Sequence, residues 1–209
     1  MSTRALSEID VIESPRPETR IMVSIQGRYS LASRLNERGN RRVFACRAVN
    51  MSPSAVALSA PVSGPVGERV IAHIDRFGKI DGSIVRVLER GFVMTVKASA
   101  EERARIEGKL IWLEKHKNLE LPDNRQSERI VPHNPSSTLS LADGTRLTCF
   151  VIDMSASGAA VSAEFYPELG EVLALGKAIG RVVRHFREGF AIQFVRPLTT
   201  GNIEHTLIA

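Results

Sequence analysis

Two short runs in this 209-residue chain combine residue types and spacings that suit the capture of an anion. The first is Arg125-Gln126-Ser127-Glu128-Arg129, an Arg-x-x-x-Arg. The second starts 24 residues after Arg129 and reads Asp153-Met154-Ser155-Ala156-Ser157-Gly158, an Asp-x-Ser-x-x-Gly. An arginine offers a planar fork of donors that fits phosphate oxygens or guanine O6 and N7, and its plane stacks on a purine. A carboxylate accepts from the guanine N1–H and N2–H₂ edge, and a serine hydroxyl serves a phosphate or nearby backbone. A glycine lets backbone approach closely or adopt φ > 0. Each run alone also has a plainer reading. Arg125 and Arg129 read as a solvated pair with Glu128 as local partner, and Asp153 and Ser155 as turn formers that bond backbone.

The elements that must position these residues come from a repeat. Cys46-Arg47-Ala48-Val49-Asn50-Met51-Ser52 recurs as Cys149-Phe150-Val151-Ile152-Asp153-Met154-Ser155, 103 residues later. The match runs without a gap to Gly67-Glu68 against Gly170-Glu171, with nine identities in 23 positions. It resumes five residues out of step, Gly82–Arg86 against Gly180–Arg184 and Gly91-Phe92 against Gly189-Phe190. A hairpin around Arg76–Asp81, five residues longer in the first copy, accounts for the shift. The chain is therefore read as two copies of one domain.

Short alternating runs bounded by turn residues predict six strands per copy. In copy two they are Ser137–Leu141, Thr145–Ile152, Gly158–Ala163, Glu171–Leu175, Ala178–Arg187 and Phe190–Val195, with a hairpin at Ala142-Asp143-Gly144. In copy one they are Gly27–Leu35, Arg41–Val49, Val56–Ala60, Glu68–Asp75, Ser83–Leu88 and Gly91–Ala98. Between the copies, Ile106, Leu110 and Leu113 make the apolar stripe of a helix from about Ala100 to Lys117, which would close the first barrel. Residues 1–20 and 199–209 read as flexible tails. The divisions expected are 21–99, 100–122 for helix and linker, and 123–198.

The two runs together, in this order on a small barrel pattern, resemble the PilZ domain of bacterial cyclic di-GMP receptors. Gly180–Arg184 and Gly189–Phe194 look like the trailing strands of that family. The resemblance covers Asp123 to Pro197 well and Ile21 to Ser99 loosely. It implies a mainly β fold of two six-stranded antiparallel β-barrels joined by one α-helix. It also implies that Arg125, Arg129, Asp153, Ser155 and Gly158 bind cyclic di-GMP, a ligand with two phosphate charges and two guanines. Ligand binding that orders the arm and linker would move the domains relative to each other, with a protein partner reading the change.

Counting back 103 from Arg125 and Arg129 lands on Met22 and Gln26, while Asn50, Ser52 and Ala55 stand where copy two has Asp153, Ser155 and Gly158. A further Arg-x-x-x-Arg, Arg38 to Arg42, falls only eight residues before Asn50, in a hairpin turn. The first copy is accordingly read as degenerate, structural or partner-facing.

Composition narrows the remaining classes. A net charge of +5 and a pI near 9.6 lean towards an anionic partner but fall short of a dedicated DNA-binding footprint. Eight Phe, two Tyr and one Trp are too few for a stacking platform, so a nucleic-acid-binding barrel is the alternative, and a ligand-free structural adaptor a further one. Cys46 and Cys149 occupy the same repeat position and read as small buried apolar side chains. With no nucleophile–base set, paired-carboxylate motif, phosphate loop or metal-ligand spacing, neither enzymatic activity nor a cofactor or metal is expected. With no apolar run of ~20 residues and no signal peptide, no membrane span is expected either, and the location expected is the cytoplasm.

Overall fold

The computed structural model describes residues 20–116 and 129–208. Each copy folds into a closed, six-stranded antiparallel barrel. The first contains β1 (Ile21–Leu31), β2 (Phe44–Met51), β3 (Ala55–Ser59), β4 (Arg69–Ile74), β5 (Gly78–Leu88) and β6 (Gly91–Thr95). The second contains β7 (Ser136–Leu141), β8 (Arg146–Ser155), β9 (Gly158–Ala163), β10 (Val172–Leu175), β11 (Ala178–Phe186) and β12 (Gly189–Phe194). Around the first barrel the order is β1-β2-β3-β6-β5-β4, and the second repeats it strand for strand. Closure leaves no free sheet edge, and side chains alternate between a packed interior and solvent.

The interiors follow from that alternation. Tyr29, Phe44, Met51, Leu58, Ile84, Phe92 and Met94 fill the first barrel, and Leu139, Val151, Met154, Val161, Phe190 and Ile192 the second. Full burial of one such side chain contributes about 1.5–3 kcal/mol. Cys46 and Cys149 are free thiols inside the two cores. Burial pushes both thiol pKa values up, that of Cys149 to about 12.

The repeat persists in fine geometry. A bulge falls between Ala48 and Asn50 in one copy and between Val151 and Asp153 in the other. A second bulge separates Ile84 from Arg86, matched between Val182 and Arg184. The five extra residues of copy one are spread over a hairpin rather than gathered in its turn. β4 and β5 are each two residues longer than β10 and β11, and the turn between them one residue longer.

Several expected boundaries move. β1 starts at Ile21 and ends at Leu31, not Gly27 to Leu35. β8 runs on through Asp153 to Ser155, so the Asp-x-Ser pair lies on a strand and not in a turn. The helix α1 spans Ala100–Lys115. Its start is set by a capping box: Glu102 N–H donates to Ser99 Oγ at 3.2 Å and Ser99 N–H to Glu102 Oε2 at 2.8 Å. Leu110 buries in the first barrel's core with Ile106 packed against it, while Leu113, the third residue of the stripe, is half-buried and outside that cluster.

The end of the chain is not a tail. Thr200–Asn202 form a 3₁₀ turn and Ile203–Leu207 a short helix, α2. Ile203 and Leu207 join the second core, and Lys177 N–H donates to Thr206 O at 2.9 Å. Two apolar residues four apart at the end of a polar stretch are too weak a pattern to read as a docked helix from sequence.

Candidate ligand site on the C-terminal barrel

Asp153 owes its place to the bulge just before it on β8, which re-aims the following side chains. Ser155 and Gly158 pair across the β8–β9 turn. Ser155 Oγ donates to Gly158 O at 3.2 Å and lies 3.3 Å from Ser157 Oγ. Gly158 serves close approach and not positive φ: a Cβ there would come within 2.4 Å of Ile192 O on β12.

The arm meets the barrel at one point. Ile130 N–H donates to Met154 O at 2.7 Å and Met154 N–H to Ile130 O at 2.9 Å, a lone antiparallel bridge beyond the end of β7. This bridge sets Arg129 beside the motif on β8. Arg129 Nη1 donates to Asp153 Oδ2 at 3.3 Å, with 49% of the arginine side chain and 26% of the aspartate side chain exposed. The structure thus brings Arg129, Asp153, Ser155 and Gly158 together at one rim. Arg125 lies outside the described residues.

What holds the arm from the other side was not foreseen. Arg47 of β2, only 4% exposed, donates through Nη1 to Pro132 O at 2.6 Å and His133 O at 3.2 Å. Burial lowers its pKa, with Glu204 acting in the opposite sense. Glu204 of α2 also accepts from His133 N–H at 2.8 Å. The signal was present: Arg47 interrupts a strand that is otherwise largely apolar, where the repeat carries Phe150. Beyond it, β2 of the first barrel lies against β8 and β9 of the second. Ala45 N–H donates to Ser162 Oγ at 3.1 Å, and Arg42 donates to the carbonyls of Ala163 and Glu164.

Arg42 also borders a cleft of about 1170 Å³ at the junction of the two barrels, lined by Arg28, His73, Lys79, Arg38, Arg41 and Arg187 among others. Arg28, His73 and Lys79 stand directly opposite one another on β1, β4 and β5. The cleft lies at the Ala163 end of β9, about 17 Å along the strand from Gly158 at 3.3–3.4 Å per residue. It is not the rim that carries Asp153.

The register also corrects the reading of the first copy. Ile130 pairs with Met154, and Ile21 pairs with Met51, the residue that matches Met154 in the repeat. The counterpart of Arg129 is therefore Arg20, directly before Ile21, and not Gln26. Met22 and Gln26 instead lie within β1. The constant offset fails because the first hairpin of copy one, between the paired Gly27 and Cys46, is seven residues longer than that between Ser137 and Cys149.

A closed small barrel thus carries Arg129 stitched to its rim beside Asp153. Residues 123–209, which include the second of the two tandem barrels, match the PilZ domain family. No curated protein matches the chain. Among solved structures, the PlzA protein of Borreliella burgdorferi in complex with c-di-GMP is 14% identical, with 84% of this chain and 85% of that one covered at a TM-score of 0.29. The inhibitor of motility MotI/DgrA of Bacillus subtilis is 12% identical over 90% and 94%, at 0.29. YcgR of Escherichia coli, in complex with c-di-GMP, is 13% identical over 88% and 80%, at 0.26. Among the described residues no group of side chains is arranged to hold a metal ion, and no helix is long and apolar enough to cross a membrane.

Proposed function

We propose that the chain is a receptor for cyclic di-GMP, bound at the rim of the C-terminal barrel by Arg125, Arg129, Asp153, Ser155 and Gly158, and that it catalyses no reaction. The observation that carries this is the meeting of Arg129 and Asp153 across 24 residues of chain, beside the Ser155–Gly158 turn. One guanidinium, one carboxylate and one hydroxyl then face the same space, matching the phosphate and guanine edges of such a ligand. Supporting it is the assignment of residues 123–209 to the PilZ family.

The arm is also the means of relay. Four residues after Arg129, the His133 carbonyl rests on Arg47 of the other barrel, so ordering of the arm by a ligand reaches the first barrel directly. A protein partner would read the change, and the chain would act in the cytoplasm. Calorimetric titration of the full chain with cyclic di-GMP tests the reading, and no binding at micromolar ligand would overturn it. A second reading, an anionic polymer in the basic interdomain cleft, draws on the opposed Arg28, His73 and Lys79. Gel shifts at low and moderate salt would expose it.

A further inference from the structure

The Arg38-Gly39-Asn40-Arg41-Arg42 run takes no part in the C-terminal rim, and it lines the cleft of about 1170 Å³ at the junction of the barrels. Its turn is held firmly. Asn36 Oδ1 accepts from the N–H groups of Arg38 at 3.0 Å and Asn40 at 2.9 Å, and Gly39 turns the corner at a φ of +74°. Arg42 is fixed by the carbonyls of Ala163 and Glu164, with its guanidinium over the rings of Phe44 and Tyr166. Arg38 and Arg41 are left exposed.

More cations line the same space. Arg28, His73 and Lys79 stand in one row across β1, β4 and β5, all exposed, so Arg28 and Lys79 are two strand spacings apart, about 9.5 Å. Arg187 joins them from the second barrel. Six arginine and lysine side chains thus line the cleft against one carboxylate, Glu37. Counter-ions are scarce. Glu188 stands 4.0 Å from Arg28, and Asp81 is held by Arg69. Among the described residues no carboxylate comes within 4.0 Å of the charged groups of Arg38, Arg41, Lys79 or Arg187. Gathering like charges costs stability, and the second barrel avoids it. There Thr138 and Gly176 occupy the places of Arg28 and His73, and the first hairpin, seven residues shorter, turns through Asp143.

At about 1170 Å³ the cleft is just above the usual size of a small-molecule site, ~300–1,000 Å³. An extended nucleic acid suits it poorly, because successive bases need open aromatic faces to stack on. Tyr29 is buried, and the half-exposed Tyr166 ring already meets Arg42 and His185. We infer that the cleft is a separate ligand site for a compact oligophosphate, a chain of three or more adjacent phosphates, free or as the tail of a nucleoside triphosphate. Arg28, Arg38, Arg41 and Lys79 supply the charge-assisted donors, and the firm turn limits the ordering that binding costs. The site shares no residue with the rim that carries Asp153, and it stands whether or not that rim takes cyclic di-GMP.

Calorimetric titration of the full chain with inorganic tripolyphosphate at physiological ionic strength tests it, in four forms: native, R28A/K79A, R38A/R41A and R129A. The native and R129A proteins are expected to bind alike, and each double variant at least about tenfold more weakly. Cyclic di-GMP titrated into the native protein and the two double variants is expected to give one affinity. ATP that binds as tripolyphosphate does would assign recognition to the phosphate chain alone, and tighter ATP binding would add a contact to the nucleoside; both support the site. Tripolyphosphate binding that is absent at millimolar concentration, unaltered in both double variants, or matched by inorganic phosphate would overturn it and leave the C-terminal rim untouched. A single-stranded oligonucleotide that binds where tripolyphosphate does not would give the cleft to a polymer, and would overturn it as well.

Discussion

Arg129 Nη1 lies 3.3 Å from Asp153 Oδ2, so the arm's second arginine and the barrel's acidic residue are partners before a ligand arrives. The pair is about half exposed on the arginine side, and such a contact contributes little to stability, ~0–1 kcal/mol. Its value is positional. It holds the fork over the rim.

From this follows the first expectation. Arg129→Ala should weaken cyclic di-GMP binding by ~1.5–3 kcal/mol, the usual loss for a hydrogen bond to a charged group, and Arg125→Ala similarly. The thermal midpoint should stay almost unchanged. Unaltered affinity in both variants would remove the assigned site.

Gly158→Ala should act through the fold. The added methyl would meet Ile192 O at 2.4 Å, backbone that cannot swing aside. Chemical denaturation should show a loss of ~1–3 kcal/mol, as overpacking usually gives. No loss at all would mean that β9 and β12 separate more readily than their pairing implies.

Gly108→Ala should do the opposite. A Cβ at Gly108 meets nothing within 4 Å, and the residue sits inside α1. Alanine there should raise stability by about 0.5–1 kcal/mol in the same denaturation experiment.

Arg47→Ala should loosen the arm without touching the rim. It strips the carbonyls of Pro132 and His133 of their shared donor. Hydrogen exchange at the amides of Ile130 and Met154 should quicken, and affinity for cyclic di-GMP should fall. Unchanged protection at both amides would deny the link between the barrels.

The buried thiols give a pH dependence with a defined sign. The folded pKa of each cysteine is raised, so the native state holds the proton more tightly than the unfolded chain. This contribution to stability is complete below the unfolded value, near pH 8.5, and is lost as pH rises towards the folded value. Melting followed from pH 8 to 11 should therefore fall more steeply for the native protein than for Cys149→Ala. Equal slopes would speak against burial as the cause.

Much of this was legible in the residues. Spacing alone revealed the duplication, because Cys46–Ser52 and Cys149–Ser155 carry inward and outward positions that a barrel strand cannot exchange. The strand count followed from the turns. What escaped was whatever depends on chain pairing across a gap. The partner of Met51 cannot be found by a constant offset when an inserted hairpin intervenes, so Arg20 was passed over for Gln26. Arg47 escaped because its partners are backbone carbonyls 85 and 86 residues away, which no local pattern announces. The docked C-terminal helix was missed because Ile203 and Leu207 become apolar anchors only once the second core exists to receive them.

The strands that face one another between the barrels, β2 and β8, are the same strand of the repeat. Like meeting like is the arrangement of a homodimer, here drawn into a single polypeptide. Phe150 of β8 is buried yet stands outside its own barrel's core cluster. Severed from its sister, the C-terminal half would lose the donors that Arg42 and Arg47 supply and leave Ser162 and the carbonyls of Pro132, Ala163 and Glu164 to water.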